Sequence, residues 1–384
     1  MIYLETEGSS YERGKIHGEA LKKYIPKLNL YKPIINYFGY TSFDLFAKDV
    51  IDNTTFLSTA KKWTPDLIDE IQGIADGAKI DFNSMFVIQL IEEMGSYAKI
   101  RASKENLEKL KEVFKKTTSQ QCSALGVFDQ TQGYPIIAQN ADNSPAWVGL
   151  ETLIHAKDPE SSMEWYHITY PGLIGIYGMN NYSVGVCGNT MSAILKKSIN
   201  GLGALFVFRV ILNQKSLNNA VDIIQKLPHA SGVNYIIGDE TSVVDYECSP
   251  NQVKQFLPYQ GSTRVYHTNH PLENTDKDDE YLALLNYINF YGDYGFENWR
   301  FDTKTRLDYL KHNLQENSSP ITVEKIKKIL CSHDVKDHPI CRHDLPSGAN
   351  TNMGIIMELS KPPKLHISFG APCRTEFSLY EFSQ

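Results

Sequence analysis

The chain has 384 residues, of which 42% are hydrophobic, 22% charged and 11% aromatic, and no long tract has a biased composition. These values are typical of a globular protein of one or two domains, and they exclude a largely disordered chain. The formal net charge of -7 excludes the broad basic surface that nucleic-acid binding requires, so we expect no nucleic-acid partner.

The ends of the chain and its cysteines bear on its compartment. The sequence begins with neither a basic leader nor the apolar core of a signal peptide, and it has no run of about 18 uncharged apolar residues. We therefore expect a soluble, cytoplasmic protein without a membrane segment. Six cysteines in so long a chain are too few for the disulfide framework of a small secreted domain. Free thiols are expected at Cys122, Cys187, Cys248, Cys331, Cys341 and Cys373.

The first 121 residues are predicted to be helical after a short opening strand. Ser9 or Ser10 is suited to cap the first helix, because a hydroxyl can accept a hydrogen bond from the first turn. Pro65 is suited to the first turn of the second helix, where its missing N–H costs nothing. A polar run at residues 115–121 is typical of a linker. Helical periodicity predicts segments at residues 11–24, 64–75, 81–97 and 104–116.

At Cys122 the pattern changes to short apolar runs that predict antiparallel strands. Residues 122–128 and 134–139 form the first pair, with a hairpin turn at residues 129–133. Further strands are predicted at 152–156, 165–170, 173–177, 182–187, 233–237, 242–247, 253–256, 353–359 and 365–369, with a turn at 178–181. Helices are predicted at 202–212, 217–227, 280–290, 303–314 and 323–330. This order indicates an α+β protein with helices outside stacked antiparallel sheets.

Cys122 lies at the junction between the polar linker and the first of these strands. A lone cysteine is more often a small buried hydrophobic residue than a nucleophile, so its position needs support from its surroundings. The segment around it is Gln121-Cys122-Ser123-Ala124-Leu125-Gly126, and Gln139-Asn140-Ala141-Asp142 follows on the next strand. Together they resemble the penicillin acyltransferase family of self-cleaving N-terminal-nucleophile hydrolases, which is related to the choloylglycine hydrolases.

The resemblance extends along nearly the whole chain in order. The similar segments are Arg13-Gly14 with His17-Gly18, the run from Glu70 to Ala78, Thr268-Asn269-His270-Pro271, Ile340-Cys341-Arg342-His343 and Gly370-Ala371-Pro372-Cys373. It implies a four-layer αββα fold and a precursor that is cut between Gln121 and Cys122. The products would be an α chain of residues 1–121 and a β chain of residues 122–384, which together form one compact unit.

In such a protein the new α-amino group and the Cys122 thiol act together. An α-amine has a pKa of about 7.7–8 and a thiol one of about 8.5, so one residue can supply both base and nucleophile. The resemblance implies hydrolysis of a small linear N-acyl amide through a thioester, with no metal or cofactor. Acyl-coenzyme A-dependent N-acyl transfer is one alternative, and an uncleaved, non-enzymatic binding protein of the same fold is another. The sequence does not determine the oligomeric state, and a homo-oligomer is possible.

Four further residues are candidates for the site. By resemblance, Asn269 is the oxyanion donor, and Asn189 matches a second such asparagine in the choloylglycine hydrolases. Asp142 lies at the return end of the predicted hairpin, where strand pairing would bring it beside Cys122; an Asx turn is the alternative explanation. Arg342 matches an arginine of the acyltransferase and could bind a carboxylate or support Asp142. A solvated surface arginine is the alternative there, and Arg306 is a lesser candidate.

Two positions depart from the relatives. Gln121 stands where many members have glycine before the nucleophile, and a missing Cβ would ease a strained backbone there. Gln139 stands where the choloylglycine hydrolases have arginine, which disfavours bile-salt-like substrates.

Other kinds of site are weaker expectations. Five potential metal ligands lie close together in the sequence: Cys331, His333, His338, Cys341 and His343. Their spacing fits no standard zinc pattern, so we expect no metal. A papain-like pairing of Cys122 with His267 or His270 lacks the local signature of those proteases. Four aromatic residues could line an acyl pocket: Tyr31, Tyr37, Phe38 and Tyr40. Core packing explains such residues more often.

Overall fold

The computed structural model describes residues 2–28, 35, 38–94, 97, 121–128, 133–191, 193–280, 282–283, 295–315, 320–343 and 348–382. Several predictions concern residues outside this set. They are the helix at 104–116, the linker up to residue 120, the turn at 129–132, most of the helix at 280–290, and the aromatic residues Tyr31 and Tyr37. Within them, no helix is both long and apolar enough to cross a membrane. The six cysteines are free thiols, as predicted.

The described part of the chain contains nine α-helices. They are α1 (Ser10–Leu21), α2 (Phe43–Asp52), α3 (Phe56–Trp63), α4 (Pro65–Ala78), α5 (Phe82–Ile88), α6 (Ala204–Leu212), α7 (Leu217–Ile224), α8 (Phe296–Asn313) and α9 (Val323–Leu330). The predicted caps are confirmed: Ser9 and Glu12 form a capping box at α1, and Pro65 occupies the first turn of α4.

Helices α1 and α4 pack unusually close, and glycines make the contact possible. A Cβ on Gly14 would lie 2.0 Å from the carbonyl oxygen of Glu70, and one on Gly73 would lie 2.1 Å from that of Tyr11. Two segments of the family resemblance therefore have a packing role, because only glycine allows the backbones to approach this far.

Eight strands form the first sheet in the described residues. Their order is β1 (Ile2–Glu7), β4 (Thr152–Asp158), β5 (Met163–Thr169), β6 (Tyr177–Asn180), β7 (Gly185–Thr190), β8 (Val233–Gly238), β9 (Val243–Cys248) and β10 (Val253–Phe256). Strand β1 pairs with β4 in parallel, and the other described pairs are antiparallel. The N-terminal segment thus supplies an edge strand to this sheet.

Six strands form the second sheet in the same described set. Their order is β11 (Arg264–His267), β2 (Ser123–Phe128), β3 (Pro135–Asn143), β12 (Asn350–Glu358), β13 (Lys364–Phe369) and β14 (Ser378–Glu381). Each described pair is antiparallel. Strands β2 and β3 form the hairpin that the sequence predicts, with Ser123 opposite Asn140.

The two sheets stack face to face, and helices cover their outer faces. Strands β2 and β3 pack against β7, β8 and β9, while α6 and α7 contact the first sheet and α8 and α9 contact the second. Most buried apolar side chains of the described residues belong to one core cluster that includes the interface between the sheets. The predicted α+β class and the four-layer αββα arrangement are confirmed.

Several predicted boundaries are wrong, among them those of β6 and of the helix predicted at 81–97. We predicted a strand at 173–177 and a turn at 178–181, whereas the strand runs from Tyr177 to Asn180. Gly178 lies in it for close packing rather than for a turn, because a Cβ there would lie 2.2 Å from the carbonyl oxygen of Tyr166. The turn follows, and Asn180 Oδ1 accepts hydrogen bonds from the N–H groups of Tyr182 and Val184 at 2.9 and 3.0 Å. The helix predicted at 81–97 ends at Ile88, and α2, α3, β11 and β14 were not predicted.

Candidate active site

Cys122 immediately precedes β2 and is 2% exposed. Its Sγ lies 3.9 Å from the hydroxyl oxygen of Tyr177 on β6, so the two sheets meet at this thiol. A second link lies close by, where the side-chain amide of Gln139 both donates to and accepts from the backbone of Gly188, at 2.9 Å in each case. Gln139 therefore has a structural use at the position where choloylglycine hydrolases carry arginine.

The environment of Cys122 keeps its thiol protonated in the intact chain. Burial raises the pKa of this thiol to about 12, and the negative charge of Asp142 acts in the same direction. The backbone N–H of Asp142, the Tyr177 hydroxyl and the charge of Arg306 oppose this shift without cancelling it. The thiol needs a nearby base to become a nucleophile at neutral pH.

Arg306 on α8 holds the backbone at Cys122. Its Nη1 donates to the Cys122 carbonyl at 2.6 Å and to Ser123 Oγ at 2.9 Å. Its Nη2 donates to Asn269 Oδ1 at 3.0 Å, and its Nε donates to Asp302 Oδ2 at 3.2 Å. The sequence ranked Arg306 below Arg342, but the structure brings it into direct contact with Cys122. Asp302 and Arg306 are four residues apart on a helix, a spacing that could have indicated this buried pair.

Arg342 and Asp142 lie together on the other side of Asp302. Arg342 Nη1 donates to Asp302 Oδ1 at 2.8 Å, and its Nε lies 3.9 Å from Asp142 Oδ2. Arg342 is fully buried, so the alternative of a solvated surface arginine is wrong. Burial alone would raise the pKa of Asp302, but Arg306, His338 and Arg342 hold it well below its usual range. Asp302 was not a candidate from the sequence.

Asp142 is a carboxyl group with an abnormal proton affinity. Burial raises its pKa to about 7, although Arg342 and a hydrogen bond from Thr351 Oγ1 at 2.6 Å favour the charged form. It lies within β3 and pairs with Thr351 of β12 rather than forming an Asx turn. Hairpin pairing brings it beside Cys122, as the sequence predicted.

The two candidate oxyanion donors differ in their partners. The backbone N–H of Asn269 donates to Thr303 Oγ1 at 2.8 Å, and its side-chain Nδ2 donates to the Thr190 carbonyl at 3.1 Å. Asn189 lies in β7, and its side-chain oxygen and nitrogen are buried without a hydrogen-bond partner among the described residues. Such an orphaned amide is costly unless it serves another purpose.

Asn189 lines a small cavity that it shares with Tyr177. The cavity has a volume of about 20 Å³, which is enough for roughly one water molecule. The other lining residues described are Ile91, Glu92, Asn143, Ile176, Gly188, Thr190, Leu205, Phe208 and Val233. The predicted acyl-pocket aromatics Phe38 and Tyr40 instead pack against the core. Tyr177 was missed because its segment was predicted as the end of a strand before a turn.

Neither histidine of the papain-like alternative is positioned for Cys122. Both ring nitrogens of His267 are engaged, one with Glu247 and one with the Thr268 carbonyl, each at 2.7 Å. His270 Nδ1 lies 3.1 Å from Thr303 Oγ1. Among the described side chains, the Tyr177 hydroxyl is the hydrogen-bond partner of Cys122 Sγ.

Gln121, on the other side of the predicted cleavage site, is also buried. Both polar atoms of its side chain have no hydrogen-bond partner in the described part of the chain. The bond between Gln121 and Cys122 is therefore enclosed, and a side chain larger than glycine is accommodated there at an energetic cost.

The sequence model of the family described as acyl-coenzyme A:6-aminopenicillanic acid acyl-transferase matches residues 129–372. No curated protein matches the chain.

Three solved structures resemble it at low identity. A mutant of the conjugated bile acid hydrolase from Clostridium perfringens is 13% identical, with 68% of this chain and 97% of that chain covered and a TM-score of 0.36. The Caenorhabditis elegans N-acylethanolamine-hydrolyzing acid amidase ortholog is 14% identical, with 68% and 100% covered and a TM-score of 0.39. Penicillin V acylase from Agrobacterium tumefaciens is 13% identical, with 68% and 86% covered and a TM-score of 0.41.

The family match covers well over half of the chain, including the segments that carry Asp142, Asn189, Asn269, Arg306 and Arg342. The chain therefore belongs to the acyl-coenzyme A:6-aminopenicillanic acid acyl-transferase family, and it is an enzyme of the hydrolase or acyltransferase class.

Proposed function

We propose that the protein is an autoproteolytic cysteine N-terminal-nucleophile amidohydrolase that acts on a small linear N-acyl amide through a thioester. The observation that carries the proposal is the surroundings of Cys122 at the start of β2. Its carbonyl accepts a hydrogen bond from Arg306, its Sγ lies near the Tyr177 hydroxyl, and Asp142 is adjacent. A buried thiol that served only as packing would not need three polar groups around it.

The first step in this proposal is cleavage of the chain. Cys122 Sγ attacks the carbonyl carbon of Gln121, the C–N bond between the two residues breaks, and the thiol proton passes to the departing amine. Water then hydrolyses the resulting thioester, which leaves a Gln121 carboxylate and a free thiol. The α chain of residues 1–121 and the β chain of residues 122–384 remain together.

For the later attack on a substrate, cleavage supplies the base that the buried thiol needs. With its pKa raised to about 12, the buried thiol is almost entirely protonated at pH 7. The α-amine of a cleaved Cys122 would have a pKa of about 7.7–8 before any influence of its site. This amine would take the thiol proton, and Asp142 would orient it. The same residue then supplies the base and the nucleophile.

Catalysis follows the same chemistry on a bound amide. The Cys122 thiolate attacks the substrate carbonyl, the amine leaves with the proton, and water hydrolyses the thioester. Asn189 and Asn269 would donate to the developing oxyanion, at about 3–4 kcal/mol for each donor. The unsatisfied amide of Asn189 in a cavity beside Tyr177 supports this role.

The fate of the acyl group separates hydrolysis from transfer. Hydrolysis needs only water at the thioester, and the cavity of about 20 Å³ beside Tyr177 has room for about one water molecule. The family description, which names an acyl-coenzyme A-dependent transferase, favours acyl transfer as the second candidate. Both candidates need the same nucleophile.

The test combines intact mass measurement with a substrate screen. Purified wild type should give two fragments that meet at residues 121 and 122, and it should turn over N-acyl amino acids or β-alanyl amines. Acyl-coenzyme A with an amine acceptor tests the alternative. Cys122→Ala should remain a single chain of 43.5 kDa without activity.

A matched control separates this role from packing. Cys187 is a second fully buried thiol, on β7, so Cys187→Ala should be processed and active. If Cys122→Ala were cleaved and active, the mechanism would be wrong. A wild-type chain that stays intact and inert would instead support the non-enzymatic alternative.

A further inference from the structure

A cluster of nitrogen and sulfur ligands lies outside the site described above. Nε2 of His333 and Nε2 of His343 are 2.9 Å apart, and Cys373 Sγ is 3.5 Å from His343 Nε2. The three ligand atoms all lie within 4.8 Å of one another. His338 is not part of this set, because its ring donates to Asp302 at 3.1 Å.

We propose that His333, His343 and Cys373 bind a divalent metal ion of the zinc type. Zn²⁺ bound by two histidines and a cysteine has Zn–N distances of about 2.0–2.1 Å and a Zn–S distance of about 2.3 Å. In a tetrahedral site these lengths place the two nitrogens about 3.3 Å apart and a nitrogen and the sulfur about 3.6 Å apart. The observed separations of 2.9 and 3.5 Å are within a few tenths of an ångström of these values.

The donor set and its exposure both fit such an ion. Imidazole and thiolate together favour zinc over magnesium or calcium, which prefer oxygen ligands. His333 and Cys373 are exposed, so an ion can enter from solvent. Cys341 Sγ lies 3.3 Å from Cys373 Sγ and is a further thiol that could take a fourth position, which water would otherwise fill.

The sequence pattern concealed this set because Cys373 follows His343 by thirty residues. His333 and His343 flank the loop after α9, whereas Cys373 comes from the turn after β13. The bound ion would tie these two segments together.

The Arg374 side chain competes with metal binding at His343. Arg374 Nη2 lies 2.8 Å from His343 Nδ1, and a guanidinium can only donate hydrogen bonds. In this arrangement Nδ1 is the acceptor and Nε2 carries the proton. Binding at Nε2 moves that proton to Nδ1, so the exposed Arg374 must turn away. The Cys373 thiol proton is released to solvent when the metal–sulfur bond forms.

The test titrates the full chain with Zn²⁺ and with Co²⁺ under a phosphine reductant, in the Cys122→Ala background so that the active-site thiol does not contribute. Calorimetry should give one Zn²⁺ per chain. Bound Co²⁺ should show a thiolate charge-transfer band and the strong visible bands of a tetrahedral site. Cys373→Ser should abolish the charge-transfer band, and His333→Gln, at an exposed residue, should weaken Zn²⁺ binding by at least about 100-fold.

Two further variants decide between this set and a general affinity for metal. Cys331→Ser removes a neighbouring thiol outside the set and should leave binding unchanged. Arg374→Ala removes the competing donor and should tighten it. The proposal is overturned if Zn²⁺ binding is absent at micromolar concentration, if it survives both Cys373→Ser and His333→Gln, or if Cys341 and Cys373 are found as a disulfide under the reductant.

Discussion

Arg306 Nη1 donates to the backbone carbonyl of Cys122 at 2.6 Å, so a buried guanidinium fixes the peptide that follows the proposed nucleophile. The same side chain reaches Asn269. One arginine thus relates the attacking group to a proposed oxyanion donor.

Arg306→Lys should slow self-cleavage and lower kcat by about 100-fold or more, with a smaller change in KM. Lysine keeps the charge, but a single ammonium cannot reproduce the planar fork that contacts Cys122, Ser123 and Asn269 together. Arg300→Lys on the same helix, at an exposed position, is the control. Steady-state kinetics and the rate of fragment appearance check the result, and wild-type values for Arg306→Lys would contradict it.

Asn189→Ala and Asn269→Ala should each lower kcat by about 10²–10³-fold, but they should differ in stability. Asn189 has no described side-chain partner, so its removal should change the free energy of unfolding by less than about 1 kcal/mol. Asn269→Ala breaks bonds to Arg306 and Thr190 and should cost about 1–3 kcal/mol. Denaturant unfolding measured beside the kinetics separates the two effects. An Asn189→Ala enzyme with full kcat would remove that residue from the site.

Glu93 should make the protein less stable as the pH rises from about 4.5 to about 7. Burial raises the pKa of this carboxyl from 4.5 to about 7, although bonds from the Ala204 N–H and Ser231 Oγ favour the charged form. The folded state therefore binds the proton more tightly than the unfolded state, and its advantage is lost as the pH climbs through this window.

Thermal unfolding at several pH values between 4.5 and 8 tests this expectation. Glu93→Gln should reduce the loss of unfolding free energy over this pH range by up to about 3 kcal/mol. Glu19→Gln, at an exposed position, should leave that loss unchanged. Asp142 and Asp245, whose pKa values burial also raises to about 7, should preserve part of the slope. An unchanged slope in Glu93→Gln would show that the group is not held protonated.

Gly14→Ala should destabilise the protein by about 3 kcal/mol or more, because the new methyl group would meet the Glu70 carbonyl oxygen at 2.0 Å. Glu70 also binds Arg209 through two hydrogen bonds of 2.8 Å, so displacement of α4 would disturb a buried ion pair as well. Lys15→Ala, the next residue on the same helix and an exposed one, should be nearly neutral. Calorimetric Tm values compare the two, and a similar Tm for Gly14→Ala would mean that the helices can separate.

Local patterns predicted the parts of the fold that depend on local physics. Two short apolar runs joined by a turn-prone segment indicated the β2–β3 hairpin, and from that hairpin alone Asp142 could be placed beside Cys122. The capping hydroxyl at Ser9 and the proline at the start of α4 were found in the same way.

Relationships between distant segments could not be found by such patterns. Arg306 and Asp302 share a helix at a four-residue spacing, but Arg342 reaches Asp302 from an irregular loop, and no spacing in the sequence reveals that second contact. Gly178 resembled a turn residue because its packing partner, Tyr166, lies on the neighbouring strand. His343 and Cys373 likewise meet only after β12 and β13 have folded.

The parallel edge strand β1 has a consequence for the cleaved protein. Its residues Ile2–Glu7 pair with Thr152–Lys157 beyond the proposed cut, and the Glu70–Arg209 ion pair also joins the two sides. The two products would behave as subunits of an obligate heterodimer whose interface formed while they were still one chain. We expect each fragment expressed alone to expose an unpaired sheet edge and half of a buried ion pair, and therefore to aggregate. Activity would then be recoverable only by folding the fragments together.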